Sequence, residues 1–472
     1  MPRLTIAELV RGTQGALVGG RLEAVVSGVS IDSRTCLAGD VFFAIRGPRQ
    51  DGHAFVGHAR ARGAGAAVVT HLPPDLGLPA DFPVVVVEDT TGALQRLGAF
   101  HRRRQALPVV AVTGSNGKTT TKELAAAVLA RRFRVLKAAG SLNNQWGVPL
   151  TLLGIEPDHQ AVVLELGMNA FGEIAALAQI AQPTVGVVTV IAPAHLEGVG
   201  SLEGVQKAKG ELVEAIPPDG VVILNQDDPL VAELATRARA RVVTYGRAAT
   251  ADVRLGDVTP VGDGLLFSLS AGGGTAPVRL PLCGRHNAWN AAAAVAVGLG
   301  LGVSLADAAG ALERAVPVKG RLVWREAGGV RVLDDTYNAN PASLRAALDA
   351  LLEGTRSAVG RTWVVLGDML ELGVHSEAAH RDAGRWVAAL PAAGLATAGP
   401  RMRLAGDAAR AAGCPDVAAY DTPEAAAGHV AARVAPGDRV LVKGSRGMRM
   451  ERAVEALLLR LAPTPERHGT RC

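Results

Sequence analysis

The pattern of hydrophobic and polar positions in the first hundred residues predicts several short strands and one helix. Apolar runs at 41–45, 66–70 and 84–88 are bounded by turn-forming residues, which is typical of short strands. A helical pattern then covers residues 91–105. This part of the chain therefore predicts a small domain of mixed α/β structure.

The middle of the chain repeats a strand–helix rhythm. It opens with the apolar run at 109–112, and helical patterns separate this run from the next ones, at 161–166, 185–190 and 221–224. Strands that alternate with helices in this way are typical of a parallel sheet covered by helices on both faces. The pattern then changes to shorter β-like runs, before an alanine-rich helix that is predicted from about 287 to 299.

The last third of the chain shows the same rhythm, with apolar runs at 330–334, 362–366 and 439–442. A length of 472 residues also suggests about three domains, at roughly 150 residues for each. We therefore predict an α/β protein with a small N-terminal α/β domain, a central domain with a mainly parallel sheet, and a C-terminal Rossmann-like α/β domain. The predicted boundaries are 1–105, 106–315 and 316–462, followed by a loose tail at 463–472.

The composition favours a globular enzyme of the cytoplasm over several other classes of protein. Lys and Arg exceed Asp and Glu by only 49 to 44, and no basic run is longer than Arg102 to Arg104, so no nucleic-acid-binding surface is expected. The longest weakly polar run, at 291–305, is shorter than the ~20 residues of a membrane-spanning helix. The N-terminal residues place charges inside their apolar stretch, unlike a signal peptide. The four cysteines have no metal-binding or redox spacing, which is typical of thiols in a reducing compartment.

The most specific motif is a phosphate-binding loop. It lies between the predicted strand at 109–112 and a helical run at 122–131, and its residues are Thr113-Gly114-Ser115-Asn116-Gly117-Lys118-Thr119-Thr120. The glycines let backbone N–H groups turn towards phosphate oxygens, Lys118 reaches the outer phosphates, and the Thr119 hydroxyl is suited to Mg²⁺. Val112 stands where the standard loop has its first glycine. The strand, loop and helix together predict nucleotide binding.

Two side chains at the ends of neighbouring strands are candidates for the same site. Glu165 lies near the end of the run at 161–166, where a buried acid is costly unless it is paired or binds a metal. His195 follows the next strand, either as a functional residue or as an ordinary capping or surface residue. Because the carboxyl ends of parallel strands face the ligand crevice, both are expected beside the phosphate-binding loop.

Other polar groups leave more than one interpretation open. Asn287 and Asn290 lie one turn apart at the start of a predicted helix, as ligand contacts or as caps. Lys207 and Lys209 lie on the helix after His195, where solvated side chains are the default interpretation. Polar loops are common at ligand sites, and three follow strands of the last domain: Asp334-Asp335-Thr336-Tyr337-Asn338-Ala339-Asn340-Pro341, Gly367-Asp368-Met369-Leu370-Glu371 and Lys443-Gly444-Ser445-Arg446.

Together, these motifs resemble those of the Mur ligases, a family of ATP-dependent amide-forming enzymes of bacterial peptidoglycan synthesis. The resemblance covers the chain except its C-terminal tail. The first-domain motifs are Asp32-Ser33-Arg34, Gly39-Asp40-Val41-Phe42-Phe43 and Asp51-Gly52-His53. The central motifs are the phosphate-binding loop, Asn143-Asn144, Glu165-Leu166-Gly167-Met168-Asn169, Ala194-His195-Leu196-Glu197-Gly198 and Ala208-Lys209-Gly210-Glu211. The third-domain motifs are Lys319-Gly320-Arg321, Asp335 to Pro341 and Leu366 to Gly373.

The match has informative details. The family's own loop lacks the glycine that is missing at Val112. Within the family, the third-domain motifs resemble the member that adds a dipeptide, since the Asp-Asn-Pro-Arg/Lys signature of the ligase that adds diaminopimelate or lysine is absent from the sequence. Val199 stands where an aromatic residue is expected and is interpreted as a packing residue, and Trp146 replaces what is often an aliphatic residue.

The resemblance implies ligands and the residues that bind them. The implied substrates are ATP, UDP-N-acetylmuramoyl-tripeptide and D-alanyl-D-alanine. The first domain is implied to bind the uridine, and we expect the protein to be a monomer. Thr119 and Glu165 are implied to hold one Mg²⁺, and His195 with a carbamylated Lys209 a second. The implied catalytic residues are Lys118, Glu165, His195, Lys209 and Arg321. The implied nucleotide contacts are Thr113 to Thr120, Asn287, Asn290, Arg321 and Asp335, and the implied substrate contacts are Ser33, Arg34, Asn143, Asn144, Tyr337, Asn338 and Ser445.

Other functions share part of these motifs. Another Mur ligase or a folylpolyglutamate synthetase would share the loop, but the folate enzyme is expected to begin near its P-loop domain and to lack Asp32-Ser33-Arg34. A P-loop ATPase or switch protein that forms no amide would release phosphate without a peptide or amine substrate. Phosphate release with and without these substrates therefore separates the alternatives.

Overall fold

The computed structural model of the chain describes residues 3–48, 50–72, 77, 79–353 and 360–462. Each third of the chain builds a sheet of its own, flanked by helices, so the predicted three-domain α/β architecture is confirmed. The predicted loose tail at 463–472 lies outside the described residues. Within those residues, no helix is both long and apolar enough to cross a membrane.

The first sheet is small and mostly parallel. The strands of this part are β1 (Leu4–Thr5), β2 (Ala16–Val18), β3 (Val25–Val26), β4 (Gly28–Ser30), β5 (Asp40–Phe43), β6 (Ala66–Val69) and β7 (Val84–Val86). The helices are α1 (Ile6–Thr13), α2 (Val56–Ala61) and α3 (Thr90–Arg103). Strands β4 to β7 are parallel neighbours, β2 joins β7 antiparallel, and β1 pairs with β3. The three predicted strands and the predicted helix are confirmed.

The central sheet contains the phosphate-binding loop. Its strands are β8 (Val109–Thr113), β9 (Val135–Lys137), β10 (Ala161–Glu165), β11 (Val185–Val188), β12 (Val221–Asn225), β13 (Arg241–Gly246), β14 (Val253–Leu255), β15 (Thr259–Val261), β16 (Gly264–Ala271) and β17 (Gly274–Leu280). The order β14-β13-β12-β11-β8-β10-β9 is parallel throughout, and β15 to β17 extend one end antiparallel. The predicted parallel sheet is therefore confirmed.

Helices cover the central sheet on both faces, which explains why its inner strands are apolar on both sides. They are α4 (Lys118–Leu129), α5 (Gly147–Leu152), α6 (Glu173–Ala181), α7 (Leu196–Val199), α8 (Leu202–Ala215), α9 (Pro229–Ala232), α10 (His286–Gly300) and α11 (Leu305–Leu312). The alanine-rich α10 packs against α4 and the sheet, with almost all of its apolar side chains buried. Small alanine side chains allow this close approach of helix to helix.

The third sheet combines one antiparallel edge with a parallel body. Its strands are β18 (Val323–Ala327), β19 (Val330–Asp335), β20 (Thr362–Gly367), β21 (Ala392–Ala398), β22 (Asp416–Tyr420) and β23 (Arg439–Lys443), in the order β18-β19-β23-β20-β21-β22. The helices are α12 (Pro341–Glu353), α13 (Ser376–Ala388), α14 (Arg403–Ala411), α15 (Pro423–Ala431) and α16 (Glu451–Leu461). Only β18 pairs antiparallel among these described strands.

The strand order explains where polar groups collect. In the central sheet β8 lies between β10 and β11, so the carboxyl ends of these three strands adjoin the phosphate-binding loop. In the third sheet Asp335 at the end of β19 is in register with Lys443 at the end of β23. The carboxyl ends of the strands in both sheets therefore carry polar groups that can line one cleft.

The tight contact of α10 generates a prediction about stability. We expect Ala293→Leu to lower the free energy of unfolding by about 1–3 kcal/mol, because Ala293 is fully buried and the added methyl groups have no space. Ala306→Leu, at an exposed position of α11, is the matched control and should leave the thermal midpoint unchanged. Thermal unfolding of both variants checks this, and an unchanged midpoint for Ala293→Leu would contradict the packing described for α10.

Candidate active site

The phosphate-binding loop turns tightly between β8 and α4. Gly114 has φ +146° and Gly117 φ +83°, values that side-chain-bearing residues rarely adopt. A Cβ atom at Gly114 would lie 1.8 Å from Oγ1 of Thr189, and one at Gly117 would lie 2.4 Å from Oδ1 of Asn290. Nζ of Lys118 donates to the carbonyl of Gly114 at 2.8 Å. The loop thus directs its N–H groups and a lysine to the start of a helix, a geometry suited to phosphate.

Glu165 is buried beside this loop, at the end of β10. Its side chain is 1% exposed, and its two oxygens accept hydrogen bonds from Thr119 Oγ1 at 2.7 Å and from Asn143 Nδ2 at 2.8 Å. Both donors are neutral, so the carboxylate has no direct ion pair among the described residues. A buried carboxylate held next to a threonine hydroxyl is a pair of hard oxygen ligands for a divalent cation.

Lys209 is buried behind Glu165 on α8. The default expectation of a solvated side chain is wrong for Lys209, which is 1% exposed, and right for Lys207, which is exposed. Burial lowers the pKa of Lys209 well below its ordinary value, and the charge of Lys118 adds to this effect while Glu165 opposes it. An amine in this position is strongly biased towards its neutral form.

The third domain places a guanidinium directly on the phosphate-binding loop. Nη2 of Arg321 donates to Oγ1 of Thr119 at 2.8 Å. The guanidinium lies over the Tyr337 ring, with Cζ of Arg321 4.2 Å from the ring centroid. The side chains of Asn340 and Asn116 join the same two domains, with Nδ2 of Asn340 donating to Oδ1 of Asn116 at 2.9 Å. The two sheet edges therefore meet through polar groups.

Asp335 and Lys443 form a buried ion pair on the third-domain side of the cleft. Nζ of Lys443 lies 2.5 Å from Oδ2 of Asp335 and donates to the Asn338 carbonyl at 2.8 Å. The backbone N–H of Leu322 donates to the other Asp335 oxygen at 3.3 Å. These contacts fix the position of Asp335 next to Arg321.

His195 faces the third domain from the start of α7. Its backbone is left-handed (φ +55°), and its ring makes no capping hydrogen bond to the helix. Nδ1 of His195 instead lies 2.9 Å from Oε2 of Glu371, which follows β20. The pKa of Glu371 is lowered, chiefly by its contact with His195.

Asn287 and Asn290 do not cap α10, because the helix has no side-chain cap. Nδ2 of Asn290 donates to Oδ1 of Asn287 at 2.9 Å, and Oδ1 of Asn290 accepts from Oγ1 of Thr121 at 3.2 Å. The amide of Asn287 donates to the Cys283 carbonyl at 2.7 Å. Both amides are therefore held beside the phosphate-binding loop.

A cavity of about 1100 Å³ joins most of these groups. Of the predicted site residues, it is lined by Ser115, Asn116, Gly117, Lys118, Thr119, Thr120, Asn143, Asn144, Glu165, His195, Asn287, Asn290, Arg321, Asp335, Tyr337, Asn338 and Ser445. Three other predicted site residues do not line the cavity. Thr113 and Gly114 directly precede the lining residue Ser115 in the sequence, and Lys209 interacts electrostatically with the lining residues Lys118 and Glu165. A cavity of this size can hold a nucleotide together with part of a second substrate.

Ser33 and Arg34 lie in the first domain and do not line this cavity. Oγ of Ser33 is 3.1 Å from Nδ1 of His58, and Arg34 forms a bidentate pair with Asp32. The Arg34 guanidinium lowers the pKa of Asp32 to about 2. The predicted contacts therefore fall into a central group and a separate first-domain group.

Comparison with known proteins agrees with this arrangement. Family models match in three places: the Mur ligase family catalytic domain at residues 25–102, the Mur ligase middle domain at 112–298 and the Mur ligase glutamate ligase domain at 320–446. The UDP-N-acetylmuramoyl-tripeptide–D-alanyl-D-alanine ligase of Bacillus subtilis is 35% identical over 96% of this chain and 97% of its own length. The chain belongs to the Mur ligase family.

Solved structures show the same full-length similarity for this Mur ligase. A crystal structure of MurF from Acinetobacter baumannii has a TM-score of 0.87 at 36% identity, covering 97% of this chain and 99% of that chain. The MurF ligase from Thermotoga maritima, crystallised in complex with ADP, has a TM-score of 0.81 at 30% identity, with coverage of 92% and 98%. The three-domain architecture of the Mur ligase is thus shared over the whole chain.

Asn340, Glu371 and Lys443 make polar contacts in the Mur ligase cleft and were not among the predicted site residues. Asn340 and Glu371 lie in polar loops after strands of the third sheet, and Lys443 is the last residue of β23, so the polar strand ends were the available signal. The two departures from the family pattern have structural roles. Val199 is buried in the central core, and the Trp146 indole N–H donates to Oγ1 of Thr91 in the first domain at 3.1 Å.

The buried Lys209 of this Mur ligase generates a prediction about pH. In metal-free, CO₂-depleted buffer, we expect Lys209→Met to raise the thermal midpoint at pH 7 by about 2–4 °C, because it removes the cost of burying an amine. Since folding lowers the pKa of Lys209, the unfolded chain binds a proton that the folded protein lacks between the folded pKa and 10.5. The unsubstituted protein therefore gains stability as pH rises through this window, and the advantage of the variant shrinks.

Thermal unfolding of both proteins from pH 7 to pH 10 measures this difference. Lys207→Met is the matched control, because Lys207 lies on the same helix and is exposed. An advantage of Lys209→Met that stays constant with pH would contradict the lowered pKa.

Proposed function

We propose that this Mur ligase joins D-alanyl-D-alanine to UDP-N-acetylmuramoyl-tripeptide and converts ATP to ADP and phosphate in the same reaction. The observation that carries the proposal is one cleft in which a P-loop and the Arg321 guanidinium of another domain meet at the hydroxyl of Thr119. The names of its full-length relatives support the same reaction, which completes the peptide of a peptidoglycan precursor. The ADP bound by the Thermotoga relative supports ATP as the phosphoryl donor.

We assign one task to each domain. Residues 1–105 are proposed to bind the uridine nucleotide, with Ser33 and Arg34 among the contacts. Residues 106–315 are proposed to bind ATP, and residues 316–462 to bring the dipeptide and to close over the nucleotide. The three larger sheets and the three family matches support this division.

The residues of the cleft are proposed to hold ATP along its length. The loop from Thr113 to Thr120 surrounds the β- and γ-phosphates, and Asn287 with Asn290 lies on the adenine side. Nε of Arg321 is buried without a hydrogen-bond partner in the described part of the chain, which suits a bound phosphate oxygen. Asp335, held by Lys443, is placed for the ribose hydroxyls.

Thr119 and Glu165 fit one Mg²⁺, because they offer two buried hard oxygens at the phosphate-binding loop. When bound, the ion neutralises charge on the phosphates during phosphoryl transfer. Arg321 donates to the same hydroxyl in this structure, so its guanidinium lies beside the two residues that would hold the ion.

Lys209 and His195 are proposed to hold a second Mg²⁺, and for this the lysine must carry CO₂. An ammonium repels a cation, whereas a carbamate is a carboxylate-like anion. The neutral Lys209 amine attacks CO₂, a C–N bond forms, and the amine proton is released. The lowered pKa of Lys209 supports this step, because the neutral amine is the reactive form.

The reaction that follows has two steps. An oxygen of the tripeptide's terminal carboxylate attacks the γ-phosphorus, and the bond between this phosphorus and the ADP oxygen breaks, which gives an acyl phosphate. The free amine of D-alanyl-D-alanine then attacks the acyl carbon, phosphate leaves and the amine loses a proton. Lys118 and Arg321 are placed to stabilise the charge on the transferring phosphoryl group. Tyr337, Asn338 and Ser445 line the third-domain wall, where the dipeptide is proposed to enter, and Asn143 and Asn144 lie on the opposite wall.

We base proposals for the cellular location and the oligomeric state of the enzyme on this chemistry. We propose that it acts in the cytoplasm, where ATP is available, and the free thiols of Cys36, Cys283 and Cys414 are consistent with this. One chain supplies every proposed contact, so we propose that a monomer is sufficient. Closure of the third domain over the cleft excludes water, which protects the acyl phosphate from hydrolysis.

Phosphate release tests the proposed reaction. With ATP and Mg²⁺, we expect release only when UDP-muramoyl-tripeptide and D-alanyl-D-alanine are both present, and a product heavier by the dipeptide in its mass spectrum. Release with neither substrate would indicate an ATPase instead. Release only when another amino acid replaces the dipeptide would indicate a different Mur ligase, and release only with a folate and glutamate would indicate a folylpolyglutamate synthetase.

Matched lysine variants extend the same assay to the phosphate-binding loop. Lys118→Ala should reduce turnover at least about 100-fold, since it removes a cation from the transferring phosphoryl group. Lys207→Ala, at an exposed position, should retain normal turnover. Equal activity of the two variants would remove Lys118 from the proposed mechanism.

CO₂ dependence tests the proposed carbamate. Enzyme depleted of CO₂ should lose activity and regain it with bicarbonate, because re-formation of the Lys209 carbamate restores the second metal site. Mass spectrometry of the intact protein should show the added CO₂ in the unsubstituted protein and not in Lys209→Met. Full activity without CO₂, with no added mass, would contradict carbamylation.

A further inference from the structure

Two strained residues face each other across the cleft. His195 (φ +55°) and Glu371 (φ +64°) are non-glycine residues with left-handed backbones, and they belong to different domains. Such conformations are unfavourable for residues that carry a side chain, and they persist where the surrounding structure holds a side chain in a required place. Their side chains meet, with Nδ1 of His195 2.9 Å from Oε2 of Glu371.

The third domain presents Glu371 on a well-anchored loop. The backbone N–H of Met369 donates to Nε2 of the buried His380 at 3.1 Å, and that of Leu370 donates to Oγ of Ser445 at 2.9 Å. Leu372 is buried in the third-domain core on the other side of Glu371. The position of the carboxylate is therefore set by the third domain, and its contact with His195 depends on how that domain sits on the central one.

The ring of His195 offers its two nitrogens to different neighbours. Nδ1 is shielded from solvent, and Glu371 is the carboxylate at this nitrogen in the described part of the chain. The two atoms lie within hydrogen-bond distance, and Nδ1 has no other hydrogen-bond partner among the described residues, so the Glu371 carboxylate is its available acceptor. With Nδ1 taken up in this way, Nε2 is the nitrogen left for a ligand in the cleft that His195 lines.

We propose that Glu371 is a positioning residue that fixes the tautomer and orientation of His195 for metal binding when the third domain closes. Histidines that bind metals generally donate their second ring N–H to a carboxylate or carbonyl, and loss of that partner weakens metal binding by about 10–100-fold. The inference rests on the proposed role of His195 at the second metal site. Its consequence is that this site is complete only in the closed enzyme, so closure and metal binding favour each other.

Mn²⁺ binding measures this coupling without relying on turnover. Mn²⁺ is titrated by electron paramagnetic resonance into protein saturated with a non-hydrolysable ATP analogue, in bicarbonate buffer. We expect Glu371→Ala to raise the Kd of one of two Mn²⁺ ions about tenfold and to leave the other unchanged. Glu371→Gln should have a smaller effect, because its amide oxygen still accepts the hydrogen bond. Glu377→Gln, an exposed carboxylate of the same domain that pairs with Arg381, is the matched control and should change neither Kd.

A double-mutant cycle separates positioning from a general effect. His195→Ala should weaken the same Mn²⁺ ion at least as much, and Glu371→Ala should add nothing in that background, since its only route to the ion is the ring. Three outcomes would overturn the positioning role alone. The first is weaker Mn²⁺ binding in His195→Ala with no effect of Glu371→Ala, the second is additive effects in the double variant, and the third is equal weakening of both ions. No effect of His195→Ala would overturn the proposed second metal site as well.

Discussion

The hydrogen bonds of the Thr119 hydroxyl connect the two domains that form the cleft. It donates to Glu165 of its own domain and accepts from Arg321 of the third domain, so one oxygen links a carboxylate to a guanidinium. The contact with Arg321 requires the third domain to lie against the phosphate-binding loop of the central domain. The phosphate-binding loop alone is common to many nucleotide-binding proteins, whereas here side chains of a second domain contact the loop through Arg321 and Asn340.

Local sequence patterns predicted much of the fold and part of the site. The phosphate-binding loop could be located because glycines, lysine and threonine follow a buried strand in a fixed order. Glu165 and His195 could be placed beside it because parallel strands end at one edge of a sheet. Some of the strands that were not predicted, such as β9 and β14, have only three residues, too few to show an alternating pattern.

The rest depends on packing that no local pattern records. Lys209 looks like a surface residue next to Lys207, but the helix turns one lysine into the core and the other into solvent. Glu371 and Lys443 gain their partners only when the third domain sits on the central one or when β19 pairs with β23. Charged groups at interfaces between domains are therefore the residues that sequence patterns identify least well.

The acyl phosphate is the most direct test of an amide ligase built in this cleft. The tripeptide substrate is labelled with ¹⁸O at both oxygens of its terminal carboxylate, and the released phosphate is analysed by mass spectrometry after one turnover. If the carboxylate attacks the γ-phosphorus, one labelled oxygen leaves with each phosphate when the dipeptide amine forms the amide bond. Phosphate without label, in a reaction that nevertheless yields the longer peptide, would contradict the account.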